Sequence, residues 1–439
     1  MNLKTVAAVG TAFGILGVGS AFATFARIES MGKNTTYIMD DVSIFDNPAN
    51  INLYSNYLIG EFGPYTQDVE TGKNLDPQHP NFGGIFSISV GEDNNPDPRI
   101  SIGGLFGRIN SELIQYLPDF VIGENGSSTK VPETVTNFDG FLGGTLSNGN
   151  AWGLHVYIAQ QDGGDMGEDG NYQVKKDAFA SIVQADGGMN FQFTNYFDLE
   201  FSLALARIQY GPEHHSFFDD GNFSWLIKSR AFFTLDAING ELVPAMNLKF
   251  IDAPGLDEKH AQVGVGINVA LDRGFFWMGL DFIYNKRKAH DWLFDKSLNG
   301  GSWIYDSSNE DNKHWDERTD VGGMISFGIE RNIWWDWFII RVGGQKSILY
   351  TDCNVNDKNE AKYKADKGGK YGICKEDGNF FSTNPLADGT SKDHIGFGFG
   401  INIEEKLKID VTVAEDLLFR NPFQGEGRLF SRISATYSF

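Results

Sequence analysis

From residue 52 to its end, the chain carries recurring segments in which apolar residues alternate with small or polar ones at a period of two. Trp152, Leu154, Val156 and Ile158 alternate with Gly153, His155, Tyr157 and Ala159. Val263, Val265, Ile267 and Val269 alternate with Gly264, Gly266, Asn268 and Ala270. Phe397, Phe399, Ile401 and Ile403 oppose Gly396, Gly398, Gly400 and Asn402, while Leu407, Ile409, Val411 and Val413 oppose Lys406, Lys408, Asp410 and Thr412. Successive side chains of a strand point to opposite faces, so each segment reads as a strand with one greasy and one hydrophilic side. A buried parallel sheet would show continuous apolar runs instead.

The pattern predicts strands over 52–63, 81–90, 99–109, 138–147, 151–160, 178–193, 197–209, 223–236, 241–251, 260–271, 275–287, 319–331, 337–350, 394–404, 406–415 and 428–439. That is an all-β chain of about sixteen antiparallel strands, or fourteen if one hairpin is misdivided. Connections alternate in length. Ser147 to Asn150, Thr194 to Tyr196, Asp236 to Gly240, Asp272 to Gly274 and the turn at Glu405 are short; 64–80, 110–137, 161–177, 288–318 and 351–393 are long and charged. Short turns at one end and long loops at the other describe a transmembrane β-barrel of the bacterial outer membrane. A soluble sandwich or propeller would not impose that parity, and would need a second apolar face. The last predicted strand fits: Phe439, Tyr437, Ala435, Ile433 and Leu429 share one face, and Ser438, Thr436, Ser434, Arg432 and Arg428 the other. Tyr437 and Phe439 are expected to serve as the C-terminal insertion signal for the barrel-assembly machinery.

Composition agrees. Fifty-two glycines and 36 phenylalanines occur without any apolar run as long as a spanning helix requires. A net charge of −22 excludes a nucleic-acid partner, which needs clustered Lys and Arg. Residues 1–23 read as a secretory signal peptide, with Lys4 before a short apolar run and Ala21-Phe22-Ala23 as the cleavage site. Cys353 and Cys374 lie in one hydrophilic stretch, and in an oxidising compartment they are expected to pair as a disulfide. A thiol metal site would need two more soft ligands nearby.

By parity Asp198, Glu200, Glu330, Glu404, Lys406, Lys408, Asp410, Arg428 and Arg432 face the lumen. Charges of both signs inside a barrel pair across it, anchor an inserted segment or line an aqueous path. Aromatics at strand ends, Trp334, Trp335 and Trp337 in one place and Phe275, Phe276 and Trp277 in another, read as interfacial girdle residues. Glycine pairs within strands (83–84, 103–104, 143–144, 322–323, 343–344) mark either bends in the wall, the reading favoured here, or close packing of an inserted segment. No catalytic constellation is expected, and no cofactor. Glu213-His214-His215 with Asp219 and Asp220, and Asp162 to Asp169, carry metal-binding residue types without the spacing that would gather them, so both read as solvated loops.

Residues 24–51 alternate poorly and end in Asp40-Asp41-Val42-Ser43-Ile44-Phe45-Asp46-Asn47-Pro48-Ala49. Proline fixes its own φ and pushes the preceding asparagine out of the helical region, so Asn47-Pro48 sets a turn. Such a segment either threads back into the lumen as a hatch or remains a periplasmic tail. The run resembles the N-terminal hatch of the long-chain fatty-acid outer-membrane transporter family, in which an Asn-Pro-Ala-Gly turn leads into the barrel. Asn47, Pro48 and Ala49 match; Asn50 replaces the glycine. A barrel that escorts cargo in type nine secretion has a similar motif, so the likeness speaks to architecture more than to solute. What the resemblance implies is a monomeric barrel with a hatch over 24–51, a barrel over 52–439 and passive uptake of small hydrophobic molecules. A general diffusion porin and a surface scaffold for secretion or adhesion are the alternatives.

Overall fold

The first and last strands of the chain pair with each other, Tyr57 opposite Ser438 and Leu58 opposite Tyr437, so the sheet has no free edge. The structure is a computed structural model. It describes residues 24–54, 56–63, 80–89, 99–117, 120–122, 128–130, 134, 136–146, 148–162, 179–211, 223–254, 256–289, 317–354, 394–404, 406–413 and 430–439. Among these the strands are β1 (Tyr57–Phe62), β2 (Asn81–Ser89), β3 (Arg99–Phe106), β4 (Phe120–Ile122), β5 (Ser128–Lys130), β6 (Thr136–Thr145), β7 (Ala151–Asp162), β8 (Phe179–Thr194), β9 (Phe197–Gly211), β10 (Ser224–Leu235), β11 (Gly240–Ala253), β12 (Leu256–Leu271), β13 (Gly274–Ala289), β14 (Glu317–Asn332), β15 (Phe338–Asn354), β16 (His394–Ile403), β17 (Leu407–Val413) and β18 (Phe430–Ser438). All but the small β4–β5 hairpin pair with their sequence neighbours in one closed antiparallel barrel. Sixteen is therefore the strand number, and each barrel strand falls on a segment that alternation identifies.

The two faces separate as the period-2 pattern requires. In β13 Met278, Leu280 and Phe282 point outward and are exposed, whereas Trp277, Asp281, Ile283 and Asn285 are buried on the inner face. The same partition holds in β7, where Leu154, Val156 and Ile158 are exposed and His155, Tyr157 and Ala159 are buried. A belt of exposed Phe, Leu, Ile and Val thus surrounds a wall whose inner side carries most of the charge. Trp334, Trp335 and Trp337 stand exposed beside the β14–β15 turn, with the rings of Trp335 and Trp337 stacked 5.1 Å apart.

Two expectations need correction. Phe275 and Trp277 do not belong to the outer girdle: they point inward, and Trp277 is fully buried against Tyr37. Parity decides this, because only Phe276 of that trio shares the outward side of Met278 and Leu280. Residues 52 and 53, assigned to the first strand, instead end a 3-10 helix that spans Pro48–Leu53 and is capped by Tyr54, and β1 starts at Tyr57.

Candidate functional site: the filled lumen

Residues 24–54 contact inner-face side chains of strands around the closed barrel, Glu61 of β1, Glu200 of β9, Asp281 of β13, Glu330 of β14 and Arg432 of β18 among them, and so lie within the lumen. The local structure follows from the capping residues. Thr24 caps a short helix, Phe25–Ser30, through Arg27 N (3.3 Å). Asp40 caps a 3-10 turn over Asp41–Phe45. Asn47 is extended (φ −143°, ψ 108°) as a residue before proline must be, and its Oδ1 accepts from Ala49 N at 3.1 Å, with Pro48 as first residue of the next turn. Asn50 lies inside that turn, where no glycine is required, and packs its side chain 3.1 Å from Ser43 Oγ.

Anchoring rests on charge. Arg27 Nε donates to Glu330 Oε2 at 2.7 Å and its Nη1 to Asp40 Oδ2 at 2.6 Å. Glu330 also holds Arg341 (2.5 Å), which pairs with Asp410 at 2.7 Å; Asp410 accepts from Thr24 Oγ1 at 3.1 Å. Around the wall, Tyr37 OH donates to Asp281 (2.5 Å), Arg230 donates to Ile38 O (3.0 Å) and to Glu200 (2.6 Å), and Asn47 donates to Asn190 (2.6 Å). Arg432 closes the ring with Glu29 at 3.0 Å. Buried ions are tolerable only when each finds an opposite charge or hydrogen bonds, and here the segment and the wall supply one another. Asp41 sits apart from these pairs; burial first, and the neighbouring Asp40 and Glu61 next, push its carboxyl well above the usual carboxylate range.

Glycine on the inner wall makes the close approach possible. A methyl group at Gly153 would overlap the carbonyl of Pro48, one at Gly343 the backbone of Met31, and one at Gly396 the carbonyl of Glu29. At positions 143 and 343 it is therefore the packed segment, Ile51 and Met31, that requires glycine, and not a bend in the wall. Gly153→Val is accordingly expected to loosen the segment by about 1–3 kcal/mol while leaving the barrel closed. Trypsin cleavage at exposed Lys33 should rise in the variant, with heat-modifiable gel mobility unchanged.

Of the residues singled out by parity, Glu200, Glu330, Lys408, Asp410 and Arg432 lie on the inner face, the first four of them buried. Asp198 shares their side of β9 near the short-turn end and is partly covered. Glu404 and Lys406 do not line the lumen. They are exposed in the turn between β16 and β17, where Glu404 adopts a left-handed conformation (φ 52°) and strand parity no longer applies. Arg428, Cys374 and the polar runs at 163–169 and 213–220 lie outside the described residues, as do residues 1–23; Cys353 is the next-to-last residue of β15, and its side chain is likewise undescribed.

Sequence reading missed the second inserted element. Residues 107–117 follow β3 at the long-loop end and turn inward, with a one-turn helix at Ser111–Ile114. Leu113 and Tyr116 are buried against an inner-face apolar patch that includes Tyr157, Ile182, Ile208, Leu226 and Leu256. Inward-parity apolar residues near the long-loop ends of β7 to β12 were the available signal. Glu112 Oε2 meets Lys228 Nζ at 2.9 Å and Oε1 meets Lys249 Nζ at 2.5 Å. Burial alone would raise the Glu112 carboxyl; the two lysines outweigh it and hold it below the usual range. Between this element and residues 24–54 lies a cavity of about 930 Å³, lined by Phe25, Ile28, Val42 and Phe45 as well as by Arg108 and Lys228. His155 is buried with a carboxylate at each ring nitrogen, Asp186 at 2.8 Å and Asp139 at 2.9 Å.

No family model matches the chain, and no curated protein matches it in sequence. Similar solved structures include the toluene transporter TodX of Pseudomonas putida (9% identity, 96% of this chain and 99% of that one, TM-score 0.39). A FadL homologue of Pseudomonas aeruginosa is 11% identical over 94% of this chain and 98% of its own, with a TM-score of 0.38. A bacterial polysaccharide outer-membrane secretin is 9% identical over 87% and 97%, with a TM-score of 0.40.

Proposed function

We propose that this chain is a monomeric bacterial outer-membrane channel for passive uptake of small hydrophobic molecules, closed at rest by its own N-terminal segment. In this reading residues 1–23 are the signal peptide, 24–51 the hatch and 52–439 the barrel. The observation that carries it is the occupied lumen: residues 24–54 are held by ion pairs to β14 and β18 and by hydrogen bonds to β8, β13 and β17. A general diffusion porin needs an open aqueous path, and the segment stands across it. The exposed apolar belt supports insertion in lipid, since a closed sixteen-stranded barrel meets its surroundings through that face. Glu200, Glu330, Lys408, Asp410 and Arg432 then act chiefly as hatch anchors. The hydrophobic class of solute follows the resemblance of Asp40–Ala49 to the fatty-acid transporter hatch, and the apolar side chains lining the cavity are compatible with it. Its test is uptake by proteoliposomes of full-length protein, comparing toluene or a medium-chain carboxylate with a sugar of similar size. The expected result is entry of the former above protein-free vesicles with the sugar excluded. Equal, rapid entry of both would identify a porin.

A further inference from the structure

Phe45 and Asp46, adjacent in the N-terminal segment, are each tied to the other inserted element. The Arg108 guanidinium lies 3.9 Å from the centroid of the Phe45 ring, a cation–π contact in a buried site. Arg108 Nε also donates to Asp139 Oδ2 at 2.9 Å, and Asp139 shares its other oxygen with His155. The His155 ring stacks on Phe141 at 4.4 Å, and Phe141 and Phe25 close the remaining sides of Phe45 at 5.6 and 5.7 Å. Four residues on from Arg108, Glu112 shares Lys228 with Asp46, the ammonium lying 2.9 Å from one carboxylate and 2.8 Å from the other. Asn110 between them docks the element on the wall: its amide donates to Gln184 Oε1 (2.9 Å), its backbone N–H to Tyr157 OH (3.2 Å), and its Oδ1 accepts from Glu112 N (3.1 Å).

We propose that residues 107–117 are a latch at the long-loop end that holds the N-terminal segment closed, through Arg108 over Phe45 and Lys228 between Glu112 and Asp46. The two elements enter from opposite ends of the barrel and enclose the same cavity, so a solute filling it touches both. Withdrawing the latch uncovers one face of Phe45 and leaves the lysine without the carboxylate that fixes its position beside Asp46. Coupling between two sites is reciprocal, so loss of the N-terminal segment must in turn loosen the latch. The inference rests on the reading of residues 24–54 as a hatch.

Asn110→Ala tests it, because among the described residues the Asn110 side chain hydrogen-bonds only to Gln184 and to its own helix, not to the N-terminal segment. The measurement is hydrogen exchange in the full-length, lipid-embedded barrel. Losing this cap is expected to speed exchange about fivefold both in 107–117 and in 41–54. Faster exchange confined to 107–117 would overturn the coupling. In the reciprocal experiment, deletion of Thr24 to Asn50 should speed exchange in 107–117; unchanged exchange there would also overturn it. If that deletion opens the pore while Asn110→Ala leaves 41–54 untouched, the hatch stands and the latch falls. If the deletion changes no conductance, the hatch reading itself fails.

Discussion

Deleting Thr24 to Asn50 is expected to turn a closed barrel into an open pore, with single-channel conductance in planar bilayers rising about tenfold or more, because a sixteen-stranded barrel is wide enough for an aqueous channel. The segment to be removed supplies Arg27, Tyr37 and Asn47, which meet Glu330, Asp281 and Asn190 of the inner wall. The barrel should survive the loss, since closure depends on the β1–β18 ladder that begins only at Tyr57. A full-length protein that already conducts like the deletion would return the porin reading. A deletion that stays closed would mean that residues 24–54 are not what blocks the path.

Glu330→Ala should have the largest effect of any single substitution, about 3–5 kcal/mol of destabilisation, because it removes one partner from a buried cluster. Glu330 lies between two guanidiniums, Arg27 of the N-terminal segment and Arg341 of β15, and without it three cations (these two and Lys408) share Asp40 and Asp410. The loss is to be read from the urea midpoint of the lipid-folded protein, and trypsin sensitivity at Lys33 should rise with it. Glu330→Gln keeps the shape and some hydrogen bonds and should fall between the two. A variant as stable as the parent would show that the charges reach water or ions that the geometry does not suggest.

Strand positions were legible because a barrel wall asks one thing of every residue, which side it is on, and a period of two answers it. Leu280 and Asp281 are adjacent, yet one is 49% exposed and the other 7%. What parity does not give is the content of the interior. Whether Glu330 meets Arg27 or Arg341 depends on register and closure, both of which follow from partners hundreds of residues away. The glycine pairs were visible, but their cause was not, since a bend and a packed neighbour both demand a missing side chain; Met31 against Gly343 and Ile51 against Gly143 show a packed neighbour at those two positions. Asn47-Pro48 announced its turn through local sterics alone. The inserted helix at Ser111–Ile114 hid inside a long polar connection, its burial depending on apolar residues of six distant strands. Parity also misplaced Glu404 and Lys406, where the chain leaves the sheet to turn.

The most direct measurement attaches an environment-sensitive fluorophore to single cysteines at 278 to 283 of β13, in a background with Cys353 and Cys374 replaced by serine, and quenches it with brominated lipid. Strong quenching at 278, 280 and 282 alternating with weak quenching at 279, 281 and 283 is the predicted result. Uniform quenching along the strand, or none at all in a membrane-associated protein, would contradict it.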